Sequence, residues 1–207
     1  MKHRGLFVTF EGPDGSGKTT ISKLVYKKLN ELGYNCIYTR EPGGIRISED
    51  IRDIILDTKN TNMDKRSEAL LYAASRRQHL IEKIIPALKA NQIVICDRFI
   101  DSSLAYQGVA RGIGFDEVLS INQFAIEDMF PDLTIFLDIT AQEGLNRIEG
   151  RDKKDRLDLE SIDFHNKVYE GYQQVIKRFK QRMTIVDANN SIENIADRAL
   201  EIVVEKI

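Results

Sequence analysis

Gly12-Pro13-Asp14-Gly15-Ser16-Gly17-Lys18-Thr19 fits the pattern Gly-x-x-x-x-Gly-Lys-Thr. An apolar run, Leu6-Phe7-Val8-Thr9-Phe10, precedes it and reads as a buried strand; Ile21, Leu24, Val25, Lys28 and Leu29 follow it at helical spacing. A strand that ends in glycines and restarts as a helix leaves several backbone N–H groups unpaired at the positive end of the helix dipole. Such a turn binds anions. Gly12, Gly15 and Gly17 permit the backbone angles, Lys18 adds a point charge for the outer phosphates, and the Thr19 hydroxyl can ligate Mg²⁺; the alternative is a glycine-rich turn that merely precedes a helix.

Working outward, apolar strand-like runs recur at Cys36-Ile37-Tyr38-Thr39, Ile93-Val94-Ile95-Cys96, Leu133-Thr134-Ile135-Phe136-Leu137 and Met183-Thr184-Ile185-Val186, separated by helical stretches. This alternation predicts an α/β protein, a five-stranded parallel sheet flanked by helices. Ligands of such sheets gather at the carboxyl ends of the strands. Polar residues crowd there: the loop from Gly12 to Thr19, Arg40-Glu41, Asp97-Arg98 and Asp138. With 207 residues and 42% hydrophobic content the chain can bury a full core, and we expect one domain over 1–207. Thirty Lys plus Arg against 32 Asp plus Glu, a formal net charge of −2, argue against a general nucleic-acid or membrane-surface binder. Cys36 and Cys96 sit in apolar runs and read as buried free thiols; with no signal-type or membrane-length apolar segment, the expected location is the cytoplasm.

A phosphate loop alone admits GTPases, ATPase motors and small-molecule kinases. The chain has no Asn-Lys-x-Asp guanine signature, and Asp97-Arg98-Phe99 stands where a GTPase carries Asp-x-x-Gly. Asp97 suits a Mg²⁺ water shell and Arg98 a second anion, the alternative being a structural ion pair at a strand end. Thr39-Arg40-Glu41-Pro42-Gly43-Gly44 is a restricted turn that would hold Arg40 and Glu41 rigidly. Tyr72 and Arg76 share a helix face over Arg66 to Leu88, as a base platform or as a plain surface contact. Ser103, Tyr106 and Gln107 fall at i, i+3 and i+4 and present hydroxyl and amide groups suited to a pyrimidine edge. The mixed-charge run Glu149 to Asp158 is either a solvated loop or a lid that brings cations over transferring phosphates.

Taken together, Phe10 to Thr20, Thr39 to Gly44, Ala73 to Arg77, Cys96 to Phe99, Asp101 to Gly108 with Arg111-Gly112, and Arg156-Leu157-Asp158 resemble the bacterial thymidylate kinase family across nearly the whole chain. The resemblance implies a P-loop nucleoside monophosphate kinase fold, with Mg²⁺-dependent transfer from ATP to dTMP in a cytoplasmic homodimer. It assigns Gly12, Pro13, Asp14, Gly15, Ser16, Gly17, Lys18 and Thr19 to ATP, with Lys18 bridging to the transferred group and Arg147 near adenine. Thr19 and Asp97 would serve Mg²⁺. Asp14 would meet the deoxyribose 3′-hydroxyl, Arg98 with Arg40 would lie at the dTMP phosphate, and Glu41 would be among the residues that bind dTMP. Tyr72 would cover the thymine ring, Arg76 its O4 edge, Ser103 and Gln107 the polar base edge, and Tyr106 the sugar 2′ position. Because Gly15 and Ser16 leave the loop interior without an Arg, the resemblance assigns the catalytic cation to a lid at about 147–158, in Arg151 or Arg156. Ile45-Arg46-Ile47 departs from the family pattern. Two rivals stand beside this reading: a kinase for another nucleoside monophosphate or a deoxynucleoside, and a non-catalytic nucleotide-dependent switch.

Overall fold

The computed structural model describes residues 5–150 and 155–207. Among them, five strands form one parallel sheet: β1 (Phe7–Glu11), β2 (Cys36–Arg40), β3 (Ile93–Asp97), β4 (Leu133–Asp138) and β5 (Met183–Asp187), in the spatial order β2-β3-β1-β4-β5. Strand β1 therefore lies at the centre, and its carboxyl end opens between the ends of β3 and β4. Each of the five runs expected from the sequence is a strand, to within a residue at its ends.

The central strands are apolar on both faces, as two-sided burial requires. Val8, Phe10, Ile93, Ile95, Ile135 and Leu137 pack in a cluster with Ile21, Val25 and Leu29 of α1 (Lys18–Glu31) and Ala196, Ala199 and Val203 of α9 (Ile192–Val204). Phe7, Val94 and Cys96 point to the opposite face, which is covered from α3 (Lys65–His79), α4 (Ile85–Lys89) and α6 (Phe115–Ile126). A third cluster joins Ile55 of α2 (Arg46–Leu56), Tyr72, Phe136 and Tyr172 of α8 (Ile162–Arg178). Cys36 and Cys96 are buried free thiols.

Two helical runs widen into π-turns where the sequence suggested plain helix. Between α3 and α4 the turn spans Leu80–Ile84 and ends with the Ile85 N–H donating to Leu80 O. Pro86 brings no N–H and crowds the preceding turn, so the wider turn lets the rod continue into α4. After the short α5 (Ile100–Ser103), Leu104–Ala110 forms the second π-turn, and it carries Tyr106 and Gln107. Helix α8 seats directly on this turn. A Cβ added at Gly171 would lie 2.7 Å from Ala105 Cα and 2.9 Å from Ala105 O, closer than packed atoms approach. We expect Gly171→Ala to destabilise the fold by about 1–3 kcal/mol, despite the better helix propensity of Ala, as an overpacked contact. Urea unfolding measures it; an unchanged midpoint would mean that α8 and the π-turn can part without cost.

Candidate active site

The loop leaves β1 through Gly12, Gly15 and Gly17, whose φ angles of 147°, 79° and 87° only glycine adopts readily. Its back rests on α7 (Ala141–Ile148). A Cβ at Gly15 would sit 2.0 Å from Gly144 O, and one at Gly144 would sit 2.1 Å from Asp14 O. Gly144 is thus part of the loop's support, which the motif itself does not disclose. Lys18 Nζ donates to Pro13 O at 2.6 Å and to Ser16 Oγ at 3.2 Å. Burial, then the Arg98 charge, push its ammonium down to about 7, against the pull of Asp14, Asp97 and Glu11. Thr19 Oγ1 donates to Asp97 Oδ2 at 2.5 Å. That pair of hard oxygen ligands at the mouth of the loop fits Mg²⁺, which would take its remaining ligands from phosphate and water oxygens.

A second cavity opens beside the loop and is lined by Tyr72, Arg76, Ser103, Tyr106 and Gln107 among others. Its floor is Arg76, 1% exposed. Arg76 Nε donates to Glu41 Oε2 at 2.8 Å, Nη1 to Ser103 Oγ at 3.1 Å and to Asn122 Oδ1, and Nη2 to Phe99 O at 3.1 Å. Glu41 Oε1 meets His79 Nδ1 at 3.0 Å, and His79 Nε2 meets Thr39 Oγ1 at 2.6 Å. Glu41 lines the cavity, but both its oxygens are engaged in holding Arg76 and His79. The cavity therefore combines an aromatic wall, a fixed guanidinium and an amide.

The two cavities share Asp14, Glu41, Arg52, Arg98, Asp155 and Asp158. Arg98, in the left-handed region at φ 69°, turns its guanidinium onto Asp14 Oδ1, Ser102 Oγ (3.0 Å) and Tyr172 OH (3.2 Å), with its carbon 5.2 Å from the Tyr106 ring centroid. Tyr106 OH donates to Asp14 Oδ2 at 2.7 Å. Burial works to raise the Asp14 carboxyl, but Arg98 and Lys18 outweigh it and hold it below the usual range. Arg52 of α2, which the sequence reading missed, donates to Pro42 O at 3.0 Å and reaches both cavities. No local motif marks it; only the docking of α2 brings it in.

Other expected residues are placed differently. Arg40 lines the phosphate cavity but forks onto both oxygens of Glu49, at 2.9 and 2.8 Å, while Glu49 Oε1 also accepts from Gly44 N–H. Arg46 in the unusual Ile45-Arg46-Ile47 stretch is exposed at the start of α2. Arg147 donates to Ala188 O at 3.0 Å and Asn189 Oδ1 at 3.3 Å, tying α7 to the turn after β5. Arg156 is not brought to the loop. Its Nε donates to Ile55 O at 2.9 Å and its Nη2 to Glu68 Oε2 at 2.5 Å, so long-range partners on α2 and α3 hold it. Arg151, with Lys153 and Lys154, lies outside the described residues.

A phosphate loop joined to a second, cation-floored cavity at the carboxyl edge of a parallel sheet is the arrangement of a P-loop nucleoside monophosphate kinase. Comparison with known proteins narrows this class. The family model described as Thymidylate kinase matches residues 10–199. A curated thymidylate kinase of Bacillus velezensis is 57% identical over 205 residues, covering 98% of this chain and 97% of its own, and one of Clostridium novyi is 56% identical over 195 residues, covering 93% and 95%. The crystal structure of thymidylate kinase from Ehrlichia chaffeensis superposes with a TM-score of 0.79 at 33% identity, covering 96% of this chain and 98% of that one. The chain belongs to the thymidylate kinase family.

Beneath the junction lies Glu11, fully buried, accepting from Phe99 N–H at 2.7 Å, Ser102 Oγ at 2.6 Å and Tyr172 OH at 3.0 Å. Burial and then the Asp101 charge raise its carboxyl from 4.5 to about 7. With the folded value above the unfolded one, the native state binds the extra proton, so this group's contribution is fullest below about pH 4.5 and declines up to about pH 7. Glu11→Gln should remove that decline. Urea unfolding between about pH 5 and 7 tests this, and parallel slopes for variant and wild type would disprove it.

Proposed function

We propose that this chain is a dTMP kinase that transfers the γ-phosphoryl group of ATP, with Mg²⁺, to dTMP, giving ADP and dTDP for dTTP synthesis. The observation that carries this reading is the meeting of the two cavities at Asp14 and Arg98, one lined by the phosphate loop and the other by Tyr72, Arg76 and Gln107. ATP phosphates lie on the amides from Gly12 to Thr19, with Lys18 between the outer ones. Thr19 and Asp97 hold Mg²⁺, which when bound neutralises phosphate charge. The dTMP phosphate lies against Arg98, with Arg40 and Arg52 nearby, and its sugar 3′-hydroxyl against Asp14. Tyr72 covers the base, Arg76, Ser103 and Gln107 meet its polar edge, Tyr106 fills the space a 2′-hydroxyl would need, and Glu41 acts by holding Arg76. Arg147, beside the turn after β5, serves the adenine side.

An oxygen of the dTMP phosphate attacks the γ-phosphorus directly, and the work of the chain is to align two anions that repel each other. The remaining cation comes from the lid at about 147–158 of this single kinase domain. Arg151 is one source. Arg156 is another once it leaves Glu68.

Two coarser features belong to the same reading. The apolar side chains exposed on neighbouring helices, Leu70 on α3 and Phe124 on α6 (88% exposed), support a homodimer. Buried free thiols and a formal net charge of −2 support a cytoplasmic enzyme without nucleic-acid or membrane partners; no helix among the described residues is long and apolar enough to cross a membrane.

ADP release from Mg·ATP with a panel of nucleoside monophosphates tests the function. Strong stimulation by dTMP, weaker by dUMP and none by dCMP or AMP is expected; stimulation by another monophosphate would replace the substrate, and none at all would favour a nucleotide-dependent switch. Arg98→Ala should raise KM for dTMP by about 10- to 100-fold, the worth of a charge-assisted contact, with a smaller change in KM for ATP. Initial-rate kinetics decide it, and an unaltered KM would remove Arg98 from the dTMP phosphate.

A further inference from the structure

Glu68 of α3 is a carboxylate at 1% exposure, one helical turn before Tyr72 and two before Arg76. Four hydrogen bonds saturate it. Oε1 accepts from Gln107 Nε2 at 2.9 Å and Arg111 Nε at 3.2 Å; Oε2 accepts from Arg111 Nη2 at 3.2 Å and Arg156 Nη2 at 2.5 Å. Burial acts to raise the carboxyl, but these donors and the Arg111 charge hold it below the usual range, so the group is ionised at neutral pH.

An ionised carboxylate only accepts hydrogen bonds. The Gln107 amide must therefore turn its NH₂ toward Glu68, because a flipped amide would set two acceptor oxygens against each other. With the NH₂ turned to Glu68, Oε1 is the amide atom that can accept a hydrogen bond from a ligand in the cavity that Gln107 lines. Arg76, on the same cavity, is held by Glu41, Ser103, Asn122 and Phe99 O and can only donate. The base site thus offers one fixed acceptor and one fixed donor. A pyrimidine with N–H at position 3 and a carbonyl at position 4 matches both. Cytosine, with an acceptor at N3 and an amino group at C4, opposes both.

We propose that Glu68 is a positioning residue which, by fixing the orientation of the Gln107 amide, sets the selection of thymine and uracil monophosphates over cytosine monophosphate. The inference rests on the dTMP reading above and adds to it the group that enforces base choice from outside the cavity. Arg111 bonds both Glu68 oxygens and also Glu160 Oε1 at 2.6 Å, so it keeps the carboxylate charged and in place whether or not Arg156 stays on it.

The test is kcat/KM for dTMP, dUMP and dCMP with Mg·ATP, in wild type, Glu68→Gln and Glu68→Asp. Glu68→Gln provides a partner that pairs with either orientation of the Gln107 amide. Glu68→Asp keeps the charge for both arginines but withdraws the carboxylate by one methylene, and guards against a Glu68→Gln protein that does not fold. We expect the dTMP:dCMP ratio to fall at least tenfold in Glu68→Gln and in the same direction in Glu68→Asp, with the dTMP:dUMP ratio unchanged. A purely structural role would lower all three substrates alike. A folded variant with the wild-type dTMP:dCMP ratio overturns the inference while leaving the kinase reading intact; wild type without dTMP turnover overturns that reading and the inference with it.

Discussion

The half-buried contact between Asp14 and Arg98 is the constraint on which the site depends. Each residue belongs to a different strand end, Asp14 in the loop after β1 and Arg98 after β3, and the two strands are neighbours in register, Phe10 beside Asp97. Only this pairing of strands puts a loop that cradles phosphates and a cation for a second phosphate on opposite sides of one carboxylate. The geometry is held under strain. Arg98 is not glycine and yet lies at φ 69°, which costs of order 1–3 kcal/mol and persists because its N–H donates to Phe10 O and its guanidinium is gripped by five neighbouring groups.

Behind that contact stands a chain of buried polar groups. Glu11 ends β1 and takes the Phe99 amide and the Ser102 hydroxyl, so the start of α5 is tied to the central strand. Asp101 on the same helix receives both Nη atoms of Arg182, at 2.7 and 2.6 Å, from the segment leading into β5. The stretch from Asp101 to Gly108 is thereby explained in two parts: Asp101 and Ser102 fasten the helix to the sheet, while Ser103, Tyr106 and Gln107 face the cavity. The π-turn at Leu104–Ala110 matters because it brings Tyr106 and Gln107 to the same cavity while Gly171 lets α8 close against its other side.

A similar logic governs the floor of the base cavity. Arg76 and Glu41 are each only 2% exposed at the side chain, and such a buried ion pair repays its desolvation only with good geometry and satisfied neighbours. Here Ser103, Asn122, Phe99 O and His79 complete the set. A fully bonded network has one low-energy arrangement, and this is what a recognition surface built from polar groups requires. Removing Arg76 or Glu41 would strand the other's buried charge, and removing a neutral member would leave a buried N–H unmet.

Much of the architecture was legible in the chain before folding was considered. The loop from Gly12 to Thr19, the five apolar runs and the grouping of Arg40, Asp97 and Arg98 at strand ends follow from local patterns, because backbone freedom at glycine, strand burial and helical spacing act within a few residues. Tyr72 with Arg76, and Tyr106 with Gln107, were readable as faces for the same reason. What only the tertiary structure decided are the partners separated by many residues. Arg156 sits on Glu68 and Ile55 O instead of the loop, Arg52 reaches the junction, Gly144 backs Gly15, and Glu68 orients Gln107. Spacing along the chain cannot express these, since each depends on how helices dock over the sheet, and a charged side chain in a mixed-charge run takes whichever buried partner the packing offers it.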